Sequence, residues 1–225
     1  MPVNPESSVE IKAFDWVPDF AKGLVRDLRV RWALEETGQD YRVRYLSQGD
    51  QKQPSHRALQ PFGQAPTYEA GDLALFESGA IVLHIAQTHD GLLPEDNAAR
   101  ARAVEWIFAA LNTVEIPISD FALVDIFEAD EPWSAPRRPA VVERVQERLG
   151  ELADYLGENE WLDGDFSAGD LMMISVLRQL RGSGLVERYE TLARYVARGE
   201  ARPAFRQALA DHMAGFTGEA PPQFA

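Results

Sequence analysis

Residues 60–81 read Gln-Pro-Phe-Gly-Gln-Ala-Pro-Thr-Tyr, then Glu-Ala-Gly-Asp-Leu-Ala-Leu-Phe, then Glu-Ser-Gly-Ala-Ile. Within this stretch lie a proline at a strand start, a hairpin and a polar helix start. Ser78 is placed to cap that helix, where free N–H groups and the helix dipole favour a carboxylate. Glu77, immediately before it, offers a negative charge to an ammonium group. Together these features can hold a small anionic peptide by its backbone and its charged ends. The same residues also admit a plainer role, with Ser78 only a cap and Glu77 a solvated acid.

The surrounding elements follow from periodicity. Residues 9–14 alternate apolar and polar, the pattern of a strand. After a loop containing Pro18, the apolar residues Leu24, Leu28, Trp32 and Ala33 recur at helical spacing from about Gly23, and Thr37-Gly38 supplies a stop. Residues 41–46 alternate again, so a parallel strand pair joined by a right-handed crossover is expected. A polar loop and a short helical piece near residues 55–60 follow. Residues 65–69 and 73–76 then flank Ala70-Gly71-Asp72 as a hairpin, and residues 78–88 form a helix. This order fits an α/β thioredoxin-like domain at 1–90. The loop at 90–97 is the expected boundary to an all-α helical domain at 91–225.

In the second part, Val104, Phe108 and Leu111 are expected as one apolar stripe, with Pro117 kinking or ending that helix. Residues 128–136 read as a loop, and Pro139 suits a first helical position. Val141, Val145, Leu149, Leu152 and Leu156 mark one buried face. Ser167 and Asp170 form a capping box, and Phe166 and Leu171 stand at the positions of a hydrophobic staple. The helix they open is apolar nearly all round and should be buried.

Composition narrows the function. The 225 residues suffice for one large or two small domains, and 45% hydrophobic with 26% charged is an ordinary globular balance. With a net charge of -14 and no basic cluster beyond Arg137-Arg138, a nucleic-acid or anionic-membrane surface is not expected. Cysteine is absent, which removes disulfides, thiolate metal sites and thiol nucleophiles. His56, His84, His89 and His212 do not cluster at metal-ligand spacing, so no metal is expected. Neither a signal peptide nor an uninterrupted apolar run of about 18 residues is visible, and the cytoplasm is the expected location.

The spacing from Ala65-Pro66 to Glu77-Ser78, with the Ser167/Asp170 box heading a buried helix, resembles the glutathione S-transferases of the cytosolic, bacterial-like type. The resemblance runs from Val9 to about Phe205. It implies a homodimer that uses glutathione as co-substrate. In thioredoxin-like folds the proline at this point is cis and exposes the preceding N–H and C=O to the ligand's cysteinyl backbone. Here that residue is Ala65, where the family more often has valine. The resemblance further implies the γ-glutamyl carboxylate on Ser78 and its amine on Glu77. Lys52 is the implied cation for the glycyl carboxylate, with Gln51 and Gln53 as possible hydrogen-bonders.

One departure stands out. Family enzymes stabilise the thiolate with a tyrosine, serine or cysteine just after the first strand, and between Phe14 and Trp32 this chain has none. Residues 15–26 also look longer than usual. N–H groups at the first helix's start, the Trp16 indole, Lys22 and Arg26 are the candidates in their place. The second substrate would be lined by Trp16, Phe20, Trp106, Asn112 and Phe121, between domains, although an aromatic residue taken singly is more often core than pocket lining. The implied reaction is attack of the thiolate on a small hydrophobic electrophile. Reduction of an organic hydroperoxide and non-catalytic glutathione binding are the alternatives.

Overall fold

The structure, a computed structural model, describes residues 3–222. The chain divides into two compact units. One runs through Leu93 and resumes at Ala201, and the other is Pro94–Glu200.

The first unit is built on a four-stranded sheet of order β2-β1-β3-β4, with β1 at Val9–Phe14, β2 at Arg42–Leu46, β3 at Thr67–Ala70 and β4 at Leu73–Phe76. β1 and β2 are parallel, as the crossover through α1 (Asp27–Glu36) requires, and β3 runs antiparallel to both β1 and β4. Gly71, at φ 59°, makes the hairpin turn. β3 begins at Thr67 rather than at Ala65, because Pro66 has no N–H to give the ladder. Helix α3 occupies Ser78–Thr88, the span expected, and a short α2 (Pro54–Arg57) lies between β2 and β3.

Helix α1 starts later than the apolar spacing predicts. Gly23 takes φ 78°, and residues 23–26 make turns before the helix begins at Asp27. Eight of its ten residues are buried, among them Asp27, Arg29 and Arg31. Such charges are tolerated inside only when paired. Arg31 Nε donates to Asp27 at 2.8 Å, and the His212 ring contacts the same carboxylate oxygen at 3.1 Å.

His212 belongs to α9 (Pro203–Ala214), which packs on α1. Phe205 meets Trp32 edge-on at 4.8 Å, and the Arg202 guanidinium grips the Glu36 carboxylate through bonds of 2.6 and 2.8 Å. The division at residue 90 therefore needs amending. The chain from Ala201 on belongs with the first unit, because the apolar face of α9 is buried by α1.

The second unit is helical. α4 (Asn97–Ala109) and α5 (Glu115–Ala122) join through a π-helical turn at Ala110–Val114, and a second such turn ends the run at Phe127. Pro117 sits inside α5 and has no N–H to give Thr113, so the turn before it widens and the helix continues. The buried face here is Ala103, Ile107, Ala110 and Val114, while Phe108 is exposed. The expected stripe of Val104, Phe108 and Leu111 is thus rotated by one residue. Across the α4–α7 contact only a glycine fits at 169, where a Cβ would stand 2.6 Å from that of Trp106. Within the run Asn97–Phe127 an 18-residue window reaches a mean hydropathy of 1.5, apolar enough by length and composition to cross a membrane, although no uninterrupted apolar stretch produces it.

α6 spans Ser134–Leu156 and buries Val141, Val145, Leu149, Leu152 and Leu156. It begins before the expected start at Pro139, which lies within it, because the Ser134 hydroxyl ties the first turn to the Val124 carbonyl. α7 (Ala168–Leu177) carries the capping box at Ser167 and Asp170, and nine of its residues are buried. The second Asp170 oxygen accepts from Leu162 N–H and Tyr195 O–H, both at 2.9 Å. α8 (Glu190–Glu200) completes this unit.

Candidate functional site

One cavity of the first unit is lined by Arg26, Gln60, Gln64, Ala65, Pro66, Glu77 and Ser78. The Ala65–Pro66 bond is cis. Among the described residues, no hydrogen bond engages the Ala65 N–H or C=O, so both are open to an extended peptide backbone.

The loop before this bond is held by side chains. His56 Nε2 contacts the Gln64 carbonyl at 2.7 Å, and Gln60 Oε1 accepts the Gln64 N–H at 3.3 Å. Both side chains are buried. Gly63 is required where the loop turns. Its φ is 62°, and a Cβ there would stand 2.8 Å from the Gln51 carbonyl oxygen. Sequence reasoning passed over His56 and Gln60 as clamps, although their spacing of four residues placed them on one side of a short helical segment.

At the start of α3, Glu77 rather than Ser78 takes the N-cap position, and it makes no side-chain cap. Its φ is 68°, a left-handed conformation that costs a non-glycine residue about 1 kcal/mol. That turn puts Ser78 at the first helical position, 4% exposed, instead of at the expected cap. Its hydroxyl oxygen accepts from Arg29 Nη1 at 3.3 Å. Glu77 itself is exposed. A buried guanidinium, a hydroxyl and the positive end of a helix therefore converge at one point, an arrangement suited to a carboxylate.

The other predicted residues fall elsewhere. Lys52 Nζ donates to the Gly63 carbonyl at 3.1 Å, outside the lining of this cavity. Gln53 lines a separate cavity with Lys12, Arg44 and His56. Lys22 pairs with Asp19 at 2.7 Å, and the Asp19 carboxyl is lowered by the hydrogen bond and charge of Lys22. Trp16 is half-buried and its carbonyl accepts from Gln48, while Phe20 is exposed. Of the three side-chain candidates for holding an anion near α1, Trp16, Lys22 and Arg26, only Arg26 lines the cavity.

In the second unit, Asn112 lines a cavity with Ile116 and Arg144, and Trp106 lines another with Leu152 and Tyr155. Phe121 lines neither. It is 5% exposed, with the Arg138 guanidinium 5.6 Å from its ring. No group of three or more His, Asp or Glu that could hold a metal occurs among the described residues.

Comparison with known proteins identifies the family. Residues 20–87 match the family model for the glutathione S-transferase N-terminal domain. A glutathione S-transferase 4 from Zea mays is 30% identical over 182 residues, 76% of this chain and 77% of that protein. Glutathione S-transferase F10 from Arabidopsis thaliana is 31% identical over 146 residues, 61% and 67% of the two chains. Among solved structures, a glutathione transferase from Burkholderia graminis with two glutathione molecules bound per subunit superposes with a TM-score of 0.79. It is 26% identical, and the match covers 89% of this chain and 87% of that one. With relatives this similar over most of their own length, the chain belongs to the glutathione S-transferase family.

Proposed function

We propose that the protein binds glutathione in the cavity beside Pro66 and conjugates it through its sulfur to a small hydrophobic electrophile. The observation that carries this is the pair of unengaged main-chain groups at Ala65 beside the Ser78 end of α3. An extended cysteinyl backbone pairs with Ala65. The γ-glutamyl carboxylate meets Ser78, the first N–H groups of α3 and the Arg29 charge behind them, and its ammonium meets Glu77. Lys52, whose ammonium has further donors beyond its bond to Gly63, reaches the glycyl carboxylate.

Chemistry then requires a thiolate. The thiol proton leaves to water, a sulfur–carbon bond forms, and the leaving group departs with its electron pair. Holding both reactants together and stabilising the anion supply the rate. A cytosolic homodimer belongs to the same reading. The exposed apolar residues Phe108, Ile116 and Phe127 of the second unit support a protein interface, and sedimentation tests the dimer.

Retention on immobilised glutathione, then turnover of an aryl halide, tests the activity. Retention without turnover of the halide, but with turnover of cumene hydroperoxide, replaces transfer by peroxide reduction. No retention and no turnover overturns the reading.

A further inference from the structure

We infer that Arg26 stabilises the glutathione thiolate in this protein, taking the role that a hydroxyl or thiol after the first strand plays elsewhere in the family. The inference rests on the glutathione reading above and adds the group that activates its sulfur.

No tyrosine, serine or cysteine lies between Phe14 and Trp32, so an anion there must be met by charge or by N–H groups. Neither Lys22 nor Trp16 is part of the cavity wall. Arg26 shares the cavity with Ala65, Pro66, Glu77 and Ser78. It is exposed and stands at the N-cap of α1, where no side chain caps the helix. The positive end of that helix therefore adds to the guanidinium.

The division of labour between two arginines supports the assignment. Arg26 and Arg29 are three residues apart and so share one side of α1. Arg29 is buried and bonded to Ser78, so the carboxylate end already has its cation. Arg26, one turn nearer the helix start, lines the cavity together with Ala65, where the cysteinyl backbone would pair. A cation within about 4–6 Å lowers an acid's pKa by about 1–3 units, and a guanidinium keeps its charge at any working pH. Arg26 takes no proton in this scheme. It holds the anion that remains after the thiol proton has gone to solvent.

The test compares the wild type with Arg26→Met and Arg26→Lys. Glutathione affinity is measured by calorimetry, the bound thiol by thiolate absorbance against pH, and kcat/KM against pH with chlorodinitrobenzene. In the wild type the bound thiol should titrate at least about one unit below the ~8.5 of a free thiol. Arg26→Met should bring it back toward that value and cut kcat/KM at pH 6.5 about tenfold, the equivalent of one unit of thiol pKa. Its affinity should change by no more than about threefold, and Arg26→Lys should restore most of the loss.

A wild-type bound thiol that titrates as in water overturns the assignment and leaves glutathione binding intact. An unchanged thiol in Arg26→Met also overturns it, whether or not affinity falls; lost affinity alone would make Arg26 a carboxylate ligand. Failure of the wild type to bind glutathione removes the parent reading, and with it this one.

Discussion

At the scale of single residues, the site depends on side chains that shape the main chain as much as on those that face a ligand. Ser78 offers a hydroxyl already turned by the buried Arg29. Ser78→Ala should weaken glutathione by about 1–3 kcal/mol, the range for a hydrogen bond to a charged group, and calorimetry giving an unchanged affinity would remove the carboxylate from that position. Gly63 acts at a distance from the ligand. A methyl group at φ 62°, 2.8 Å from the Gln51 carbonyl oxygen, forces the loop that Lys52 ties down to move. Gly63→Ala should therefore lower the stability by about 1–2 kcal/mol and weaken glutathione as well, read as a fall in thermal midpoint and a rise in dissociation constant. Retained stability with normal binding would show that the loop has slack.

Among elements, the contact of α1 with α9 positions the segment leading to Arg26. Gly23 N–H donates to His212 Nε2 at 3.3 Å, and the other nitrogen of that ring contacts Asp27. Burial would raise the Asp27 carboxyl, but His212 and Arg31 outweigh it and hold it at about 2. Asp27→Asn leaves Arg31 buried without its counter-charge and should cost about 3–5 kcal/mol in urea unfolding. A cost below about 1 kcal/mol, within the range of exposed pairs, would mean that the pair is solvated in practice. None of this was legible in the sequence. Nothing local in the sequence says which helix buries Phe205 and Ala208, or marks Asp27, Arg29 and Arg31 as buried charges. What did show was whatever local chemistry decides alone: the alternation of β1 and β2, the hairpin at Gly71, the span of α3, and the Ser167/Asp170 box. Ala65, Pro66, Glu77 and Ser78 could be recognised from their spacing. Arg29 could not, because its role exists only once α1 meets α3, and the spacing of His56 and Gln60 does not by itself show that they hold the Gln64 main chain.

For the molecule as a whole, stability should depend on pH in a direction unusual for an acidic protein. Glu35 on α1 and Asp211 on α9 each present a buried carboxylate oxygen, Oε1 and Oδ2, with no donor among the described residues. A proton shared between them would satisfy both. Burial first, and then the Asp211 charge, push the Glu35 carboxyl up to about 7 from an ordinary 4.5. Between those two values the folded chain holds more protons than the unfolded one, so stability falls as pH rises through the window and levels off above 7. Asp27 acts in the opposite sense but in another range: its contribution is complete above 3.8 and is lost only as pH drops toward 2. From pH 5 to 8 the Glu35 effect should therefore govern this interface, alongside the general repulsion of a chain carrying a net charge of -14. Glu35→Gln replaces the shared proton with a permanent donor. Its thermal midpoint should exceed the wild type's at pH 8, converge toward it at pH 5, and vary less between the two. A variant whose advantage is the same at every pH would show that Glu35 titrates independently of folding.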